Sequence, residues 1–191
     1  MRKKAAVLIS GSGSNLQALI DACAKPDFPA KITLVISNKA DAYGLIRAKK
    51  AGIKTSVISN KDYATRELFD EELHKEIIAS GAEIVCLAGF MRLLTPDFVN
   101  KWTGRMINIH PSLLPDFKGA NAHQDVLAKG VSKTGCTVHY VIPEMDAGEI
   151  ILQESVPVLK GDNEKTLGAR VLEKEHIIYP QALKMLAESG I

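Results

Sequence analysis

The sequence predicts an α/β fold in three layers: a mostly parallel sheet, helices on both faces, and an antiparallel edge toward the C-terminus. Three observations carry this. Apolar runs of strand length alternate with longer segments of helical period along the first half of the chain. Those runs are continuously apolar, the mark of parallel strands covered on both faces. Beyond about residue 132 the pattern changes to in-out alternation, and the last two strand-like runs lie too close together for a parallel crossover.

The elements follow in order. Residues 5–10 read as a fully buried strand and 15–24 as a helix with Leu16, Leu19 and Ile20 on one face. Residues 32–37 are strand-like, 42–51 helical, and 54–58 a third strand. Residues 65–80 form a long helix whose main apolar positions are Leu68, Leu73 and Ile77. Residues 84–87 and 106–109 are short buried strands. Residues 134–142 alternate through Cys136, Val138, Tyr140 and Ile142, and pair antiparallel with residues 150–158 on the sheet edge. A last helix spans residues 163–188, with Pro180 bending or interrupting it. The pattern is Rossmann-like, with right-handed crossovers.

The chain has 191 residues, a length that suits one domain. A core of that size buries about 70% of the surface an unfolded chain exposes, so no covalent staple is needed. The net charge of +2 excludes a nucleic-acid-coating protein, and an anionic ligand would need a local device to hold it. Cys23, Cys86 and Cys136 have neither disulfide nor zinc spacing. Cys86 reads as a small core residue, and nothing marks Cys136 as a nucleophile. The apolar run after the basic start is too short for a secretory or membrane segment, so the expected compartment is the cytoplasm. Trp102 reads as packing, Lys49-Lys50 as a solvated helix face, His74 as exposed, and His176 as packed or hydrogen-bonded.

Two segments carry chemistry. Gly11-Ser12-Gly13-Ser14-Asn15 follows the first strand and opens the first helix. Glycine permits close approach of a ligand to the backbone, and a helix N-terminus offers free N–H groups to a phosphate. Leu16 stands where a dinucleotide fingerprint needs its last glycine, and no P-loop Gly-Lys-Ser/Thr is present. That favours a single phosphate. The competing reading is a tight turn with Ser14 or Asn15 capping the helix. The second segment is Asn108-Ile109-His110-Pro111-Ser112-Leu113-Leu114-Pro115. Asn108 and His110 share a strand face, and Pro111 ends the strand, so both sit at its carboxyl end, where open α/β sheets bind ligands. Asn108 can donate to a developing oxyanion, and His110 can shuttle a proton. Asp146, in Asp146-Ala147-Gly148, would favour the charged imidazole if it lay nearby, and Gly148 would let the loop bend around a ligand. No sequence argument brings Asp146 to His110; it reads equally as a turn residue.

With these motifs the chain resembles the folate-dependent glycinamide ribonucleotide transformylases (phosphoribosylglycinamide formyltransferases) along nearly its whole length. The resemblance rests on residues 9–18, 36–45, 87–94, 108–115, 135–141, 146–148 and 173–180. It implies that Gly13, Ser14, Asn15 and Arg66 hold a substrate phosphate and that Glu175 takes the ribose or glycinamide end. Met91, Arg92, Leu93, Leu94 and Met145 would line the pocket of 10-formyltetrahydrofolate, the co-substrate, with Thr137 and His139 bordering the site. Asn108, His110 and Asp146 would be catalytic, with no metal required. The loop Lys118–His123 departs from the family's usual form and is expected to cover the site.

The resemblance also implies small-molecule substrates, no nucleic-acid or membrane partner, and a monomer or homodimer. Residues 1–191 are expected to form one domain, 1–100 its phosphate-binding half and 101–191 its catalytic and folate-binding half. A tRNA-directed formyltransferase would need a second, basic domain, and a deformylase an N-terminal regulatory one; neither is expected here. A non-catalytic binding module would not need Asn108, His110 and Asp146 together. Losing one oxyanion donor typically costs about 3–4 kcal/mol. Asn108→Ala should therefore leave a very slow enzyme in a formyl-transfer assay, and unchanged turnover would contradict its role.

Overall fold

The structure of the protein is a computed structural model that describes residues 1–190. Its strands are β1 (Lys3–Ile9), β2 (Ala30–Ser37), β3 (Thr55–Val57), β4 (Ile84–Leu87), β5 (Met106–His110), β6 (Lys133–Tyr140) and β7 (Ile150–Pro157). Its helices are α1 (Ser14–Cys23), α2 (Tyr43–Lys50), α3 (Arg66–Ala79), α4 (Pro96–Lys101), α5 (Ala122–Lys129) and α6 (Glu164–Glu188). The strands form one sheet in the order β3-β2-β1-β4-β5-β6-β7. The first five are parallel, whereas β6 runs antiparallel to both β5 and β7. This is the Rossmann-like α/β arrangement with the antiparallel C-terminal edge that the sequence predicts.

Each face of the sheet has its own apolar layer. Ala5, Val7 and Ile9 of β1 pack with α1, α2, α5 and α6, while Ala6 and Leu8 point into a cluster with α3 and α4. Residues 5–9 are fully buried because β1 is central and covered on both sides. Among the described residues no helix is long and apolar enough to cross a membrane.

Several sequence expectations need correction. Leu68 is 49% exposed, and Phe69 takes the core position, because helix α3 turns its 69–73–77 stripe inward. The helices α4 and α5 were not anticipated. Thr95 caps α4 through a bond from Phe98 N–H, with Pro96 in the first turn, a start signal the sequence carries openly. α5 is short and ends at Gly130 in the left-handed region. α6 continues through Pro180 without interruption. It starts on a capping box formed by Asn163 and Thr166. β6 ends at Tyr140, two residues before the expected end. His74 is half-buried, edge-on to Phe98 and Trp102, and burial holds its pKa below the ordinary value. Trp102 is fully buried, as expected, and so are Cys86 and Cys136. Burial pushes the Cys136 thiol up to about 12, so it carries no thiolate nucleophile.

The strand order reverses at β1 and β4, which are neighbours in the sheet though β2 and β3 intervene in sequence. The carboxyl ends of β1, β4 and β5 therefore open on one crevice. Tyr179 of α6 helps fix that edge: its buried hydroxyl lies 2.8 Å from the Leu87 carbonyl oxygen and 3.3 Å from that of Ile107. Tyr179→Phe removes this donor from the end of β4 and from Ile107 of the neighbouring β5. It should lower the unfolding free energy by about 1–3 kcal/mol in urea titration. An unchanged midpoint would mean the hydroxyl contributes nothing to holding these strands.

Candidate active site

Strand pairing builds one end of the crevice. In the β5–β6 register Asn108 stands opposite His139, and His110 opposite Thr137, so these side chains share a face by alternation. Asp146, in the connection from β6 to β7, adopts a left-handed backbone (φ 50°) and brings its carboxylate between two imidazoles. Its Oδ2 lies 3.5 Å from His110 Nδ1, and its Oδ1 lies 3.6 Å from His139 Nε2. The Gly119 N–H donates to Oδ2 at 2.9 Å, so the loop expected to cover the site reaches the carboxylate. Gly148 packs on the Tyr140 carbonyl, where any Cβ would collide.

Hydrogen-bond chemistry orients the rings. His110 Nε2 is 2.8 Å from the Phe117 carbonyl, which only accepts, so Nε2 carries a proton. Nδ1 then faces Asp146, and the imidazolium form gives both N–H groups an acceptor. His139 Nδ1 is 2.8 Å from the Tyr140 carbonyl and is likewise protonated. Burial pulls the His139 pKa below its ordinary value, against the opposing effects of the Tyr140 carbonyl and Asp146. Neutral His139 thus presents an acceptor at Nε2, and Asn108 Nδ2 donates to it at 3.2 Å. This bond fixes which end of the Asn108 amide is NH2 and leaves its second N–H for a ligand.

Thr137 works on the segment after β5. Its hydroxyl donates to Ser112 O at 2.7 Å and accepts from Leu114 N–H at 3.1 Å. Gln153 of β7, directly opposite Thr137, donates to Thr137 Oγ1 and Leu114 O at 2.9 and 2.8 Å. The sequence reading missed Gln153. The in-out alternation of β7 could have shown it only with the β6–β7 register known.

At the other end of the crevice, Gly13 takes a left-handed conformation (φ 71°) and begins α1 with no side-chain cap. Neither Ser14 nor Asn15 caps the helix, because Asn15 is engaged elsewhere. Its Nδ2 donates to Glu175 Oε2 at 2.6 Å, bringing α6 to the glycine loop. Glu175 is 6% exposed, and burial raises its pKa, with the Asn15 bond acting in the opposite direction.

Between these ends lies the segment after β4. The Met91 N–H donates to Ser10 Oγ at 2.8 Å, tying it to the end of β1. Arg66 is bonded to the carbonyls of Leu93 and Leu94, at 3.1 and 3.4 Å, and so lies on this segment. Met91, Leu93 and Met145 are more than half exposed, and Arg92 is exposed. Leu94 differs, because its side chain belongs to the core cluster with Phe98 and Trp102.

The fold and this cluster match one family. A model of the formyl transferase family matches residues 3–183, and the chain belongs to that family. Among individual members it is 48% identical over 185 residues to the phosphoribosylglycinamide formyltransferase of Escherichia coli (strain K12), covering 97% of this chain and 87% of the relative. The crystal structure of glycinamide ribonucleotide transformylase 1 from Symbiobacterium toebii superposes with a TM-score of 0.96 at 46% identity, over 98% of this chain and 88% of that one. The trifunctional purine biosynthetic protein adenosine-3 of Chironomus tentans is 55% identical over 192 residues, all of this chain. The chain spans only 14–19% of the length of such trifunctional relatives.

Glu175 makes stability depend on pH with a definite sign. Its folded pKa lies above the ordinary value of 4.5, so its contribution is fully present below that pH and is lost as pH rises through the folded pKa. Glu175→Gln removes the charge while keeping an acceptor for Asn15. The variant should gain stability relative to the parent at pH 8, and the gain should vanish below pH 4, as read from thermal melting across about that range.

Proposed function

We propose that the protein transfers the formyl group of 10-formyltetrahydrofolate to the amine of glycinamide ribonucleotide, a step of purine synthesis. The observation that carries this reading is the Asp146 carboxylate set 3.5 Å from His110 and 3.6 Å from His139, with Asn108 on the same strand face. Family membership and the names of the size-matched relatives support it.

Each residue then has a task. Asn108 uses its free N–H to stabilise the formyl oxygen as negative charge develops on it. His110, as the imidazolium, shares that task through its positive charge, its N–H groups facing the Phe117 carbonyl and the Asp146 carboxylate that hold the ring in register. The new bond forms between the substrate nitrogen and the formyl carbon, and the bond from that carbon to the folate nitrogen breaks. Asp146 positions the water that moves the proton from the attacking amine to the departing nitrogen.

His139 keeps the Asn108 amide turned toward the reacting carbonyl, and Thr137 holds the segment after β5. Gly13, Ser14, Asn15 and Arg66 take the substrate phosphate, and Glu175 takes the ribose or glycinamide end. Met91, Arg92, Leu93 and Met145 line the folate pocket, and Leu94, whose side chain is in the core, lends only its backbone; the exposed apolar side chains of Met91, Leu93 and Met145 suit a flat pterin ring. The chain works as one domain on small molecules in the cytoplasm, as a monomer or homodimer, with the phosphate-binding half in residues 1–100.

The test is a formyl-transfer assay with the ribonucleotide, tRNA or water as acceptor. Transfer to the ribonucleotide is expected, and transfer to tRNA alone would overturn the reading. Asp146→Asn should lower kcat by about 10²–10⁴-fold with little change in KM for either substrate.

A further inference from the structure

The glycine loop is braced from outside by α2, a helix with no part in the reaction described above. The Gly44 N–H donates to the Gly11 carbonyl at 3.0 Å. One turn on, Arg47 Nε donates to the Ser12 carbonyl at 2.9 Å, and its Nη1 reaches Gln17 Oε1 at 3.4 Å. In a trans peptide the C=O and the following N–H point opposite ways. Tying the carbonyls of Gly11 and Ser12 to α2 therefore turns the N–H groups of Ser12 and Gly13 away from α2. Backbone donors presented together beside a helix N-terminus form an anion cradle.

This brace needs glycine on both sides. A Cβ on Gly13 would stand 2.5 Å from Gly44 Cα and 3.3 Å from Gly44 N. A Cβ on Gly44 would collide with the Ile9 side chain and stand 3.2 Å from Gly13 Cα. Ile9 Cδ1 is the end of a side chain and can turn aside within the packed end of β1, whereas Gly13 Cα is backbone, so the loop itself must shift by a few tenths of an ångström.

We propose that Gly44, together with Arg47, is a positioning residue that sets the enzyme's specificity for a phosphate-bearing acceptor, acting through the shape of the Gly11–Gly13 turn. This rests on the reading of that loop as the phosphate site. The test compares kcat/KM for glycinamide ribonucleotide with that for its dephosphorylated ribonucleoside in the parent, Gly44→Ala and Arg47→Met. Gly44→Ala should raise KM for the ribonucleotide about tenfold and cut the preference for the phosphorylated acceptor equally, because sub-ångström misplacement of a binding group is expensive. KM for the formyl donor should stay unchanged. Arg47→Met should act in the same direction but less strongly.

A merely structural loss would lower activity on both acceptors alike and leave their ratio intact. A folded Gly44→Ala enzyme with the parent's ratio overturns the proposal. If that variant does not fold, an unchanged ratio in Arg47→Met overturns it. A parent that neither prefers the phosphorylated acceptor nor is inhibited by inorganic phosphate competitively with the ribonucleotide removes the phosphate reading, and the proposal with it. A parent that does both, with variants unchanged, removes the proposal alone.

Discussion

The antiparallel pairing of β6 onto β5 is the constraint on which the site depends. Parallel strands would put a helix-bearing crossover between them. Antiparallel pairing instead lays His139 opposite Asn108 and Thr137 opposite His110. It also brings the end of β6 beside the start of β5, with Tyr140 opposite Ile107, and the connection that follows carries Asp146 to the imidazoles. The left-handed backbone at Asp146 and the Gly119 N–H then hold the carboxylate in that place.

The electrostatics follow from burial. A carboxylate that is 10% exposed must have partners, and Asp146 has the His110 imidazole and the Gly119 N–H. The two imidazoles differ because their second nitrogens and surroundings differ. His139 is bonded to the adjacent Tyr140 carbonyl and shifted toward the neutral form by burial, which suits an acceptor for Asn108. His110 is bonded to the Phe117 carbonyl in the loop over the site. One carboxylate thus links β5, β6 and the covering loop, and a movement of any of them changes its environment. Glu175 contrasts with it: buried with Asn15 as its hydrogen-bond donor, it is pushed toward its neutral form.

Much of the fold was legible. The parallel core strands are apolar runs, and the antiparallel edge shows as alternation with a short gap. Leu68 misled because α3 has polar residues among its apolar ones, and the choice between adjacent Leu68 and Phe69 depends on which way the helix is rolled against the sheet. Pro180 does not interrupt α6, because the turns around it are packed, as Tyr179, Ala182 and Leu183 are. The roles of Asn15 and Gln153 were hidden because their partners, Glu175 and the segment after β5, are remote in the chain.

By itself the sequence determined that Asn108 and His110 share one face at the carboxyl end of a buried strand, because strand alternation and the terminating Pro111 are local properties. It also determined that a glycine turn opens the first helix. Only the tertiary structure decided that Asp146 reaches His110, that Glu175 meets Asn15, and that α2 shapes the glycine loop. Those contacts join segments separated by 36, 160 and 33 to 35 residues, and sheet order, register and helix packing over the whole chain set such distances.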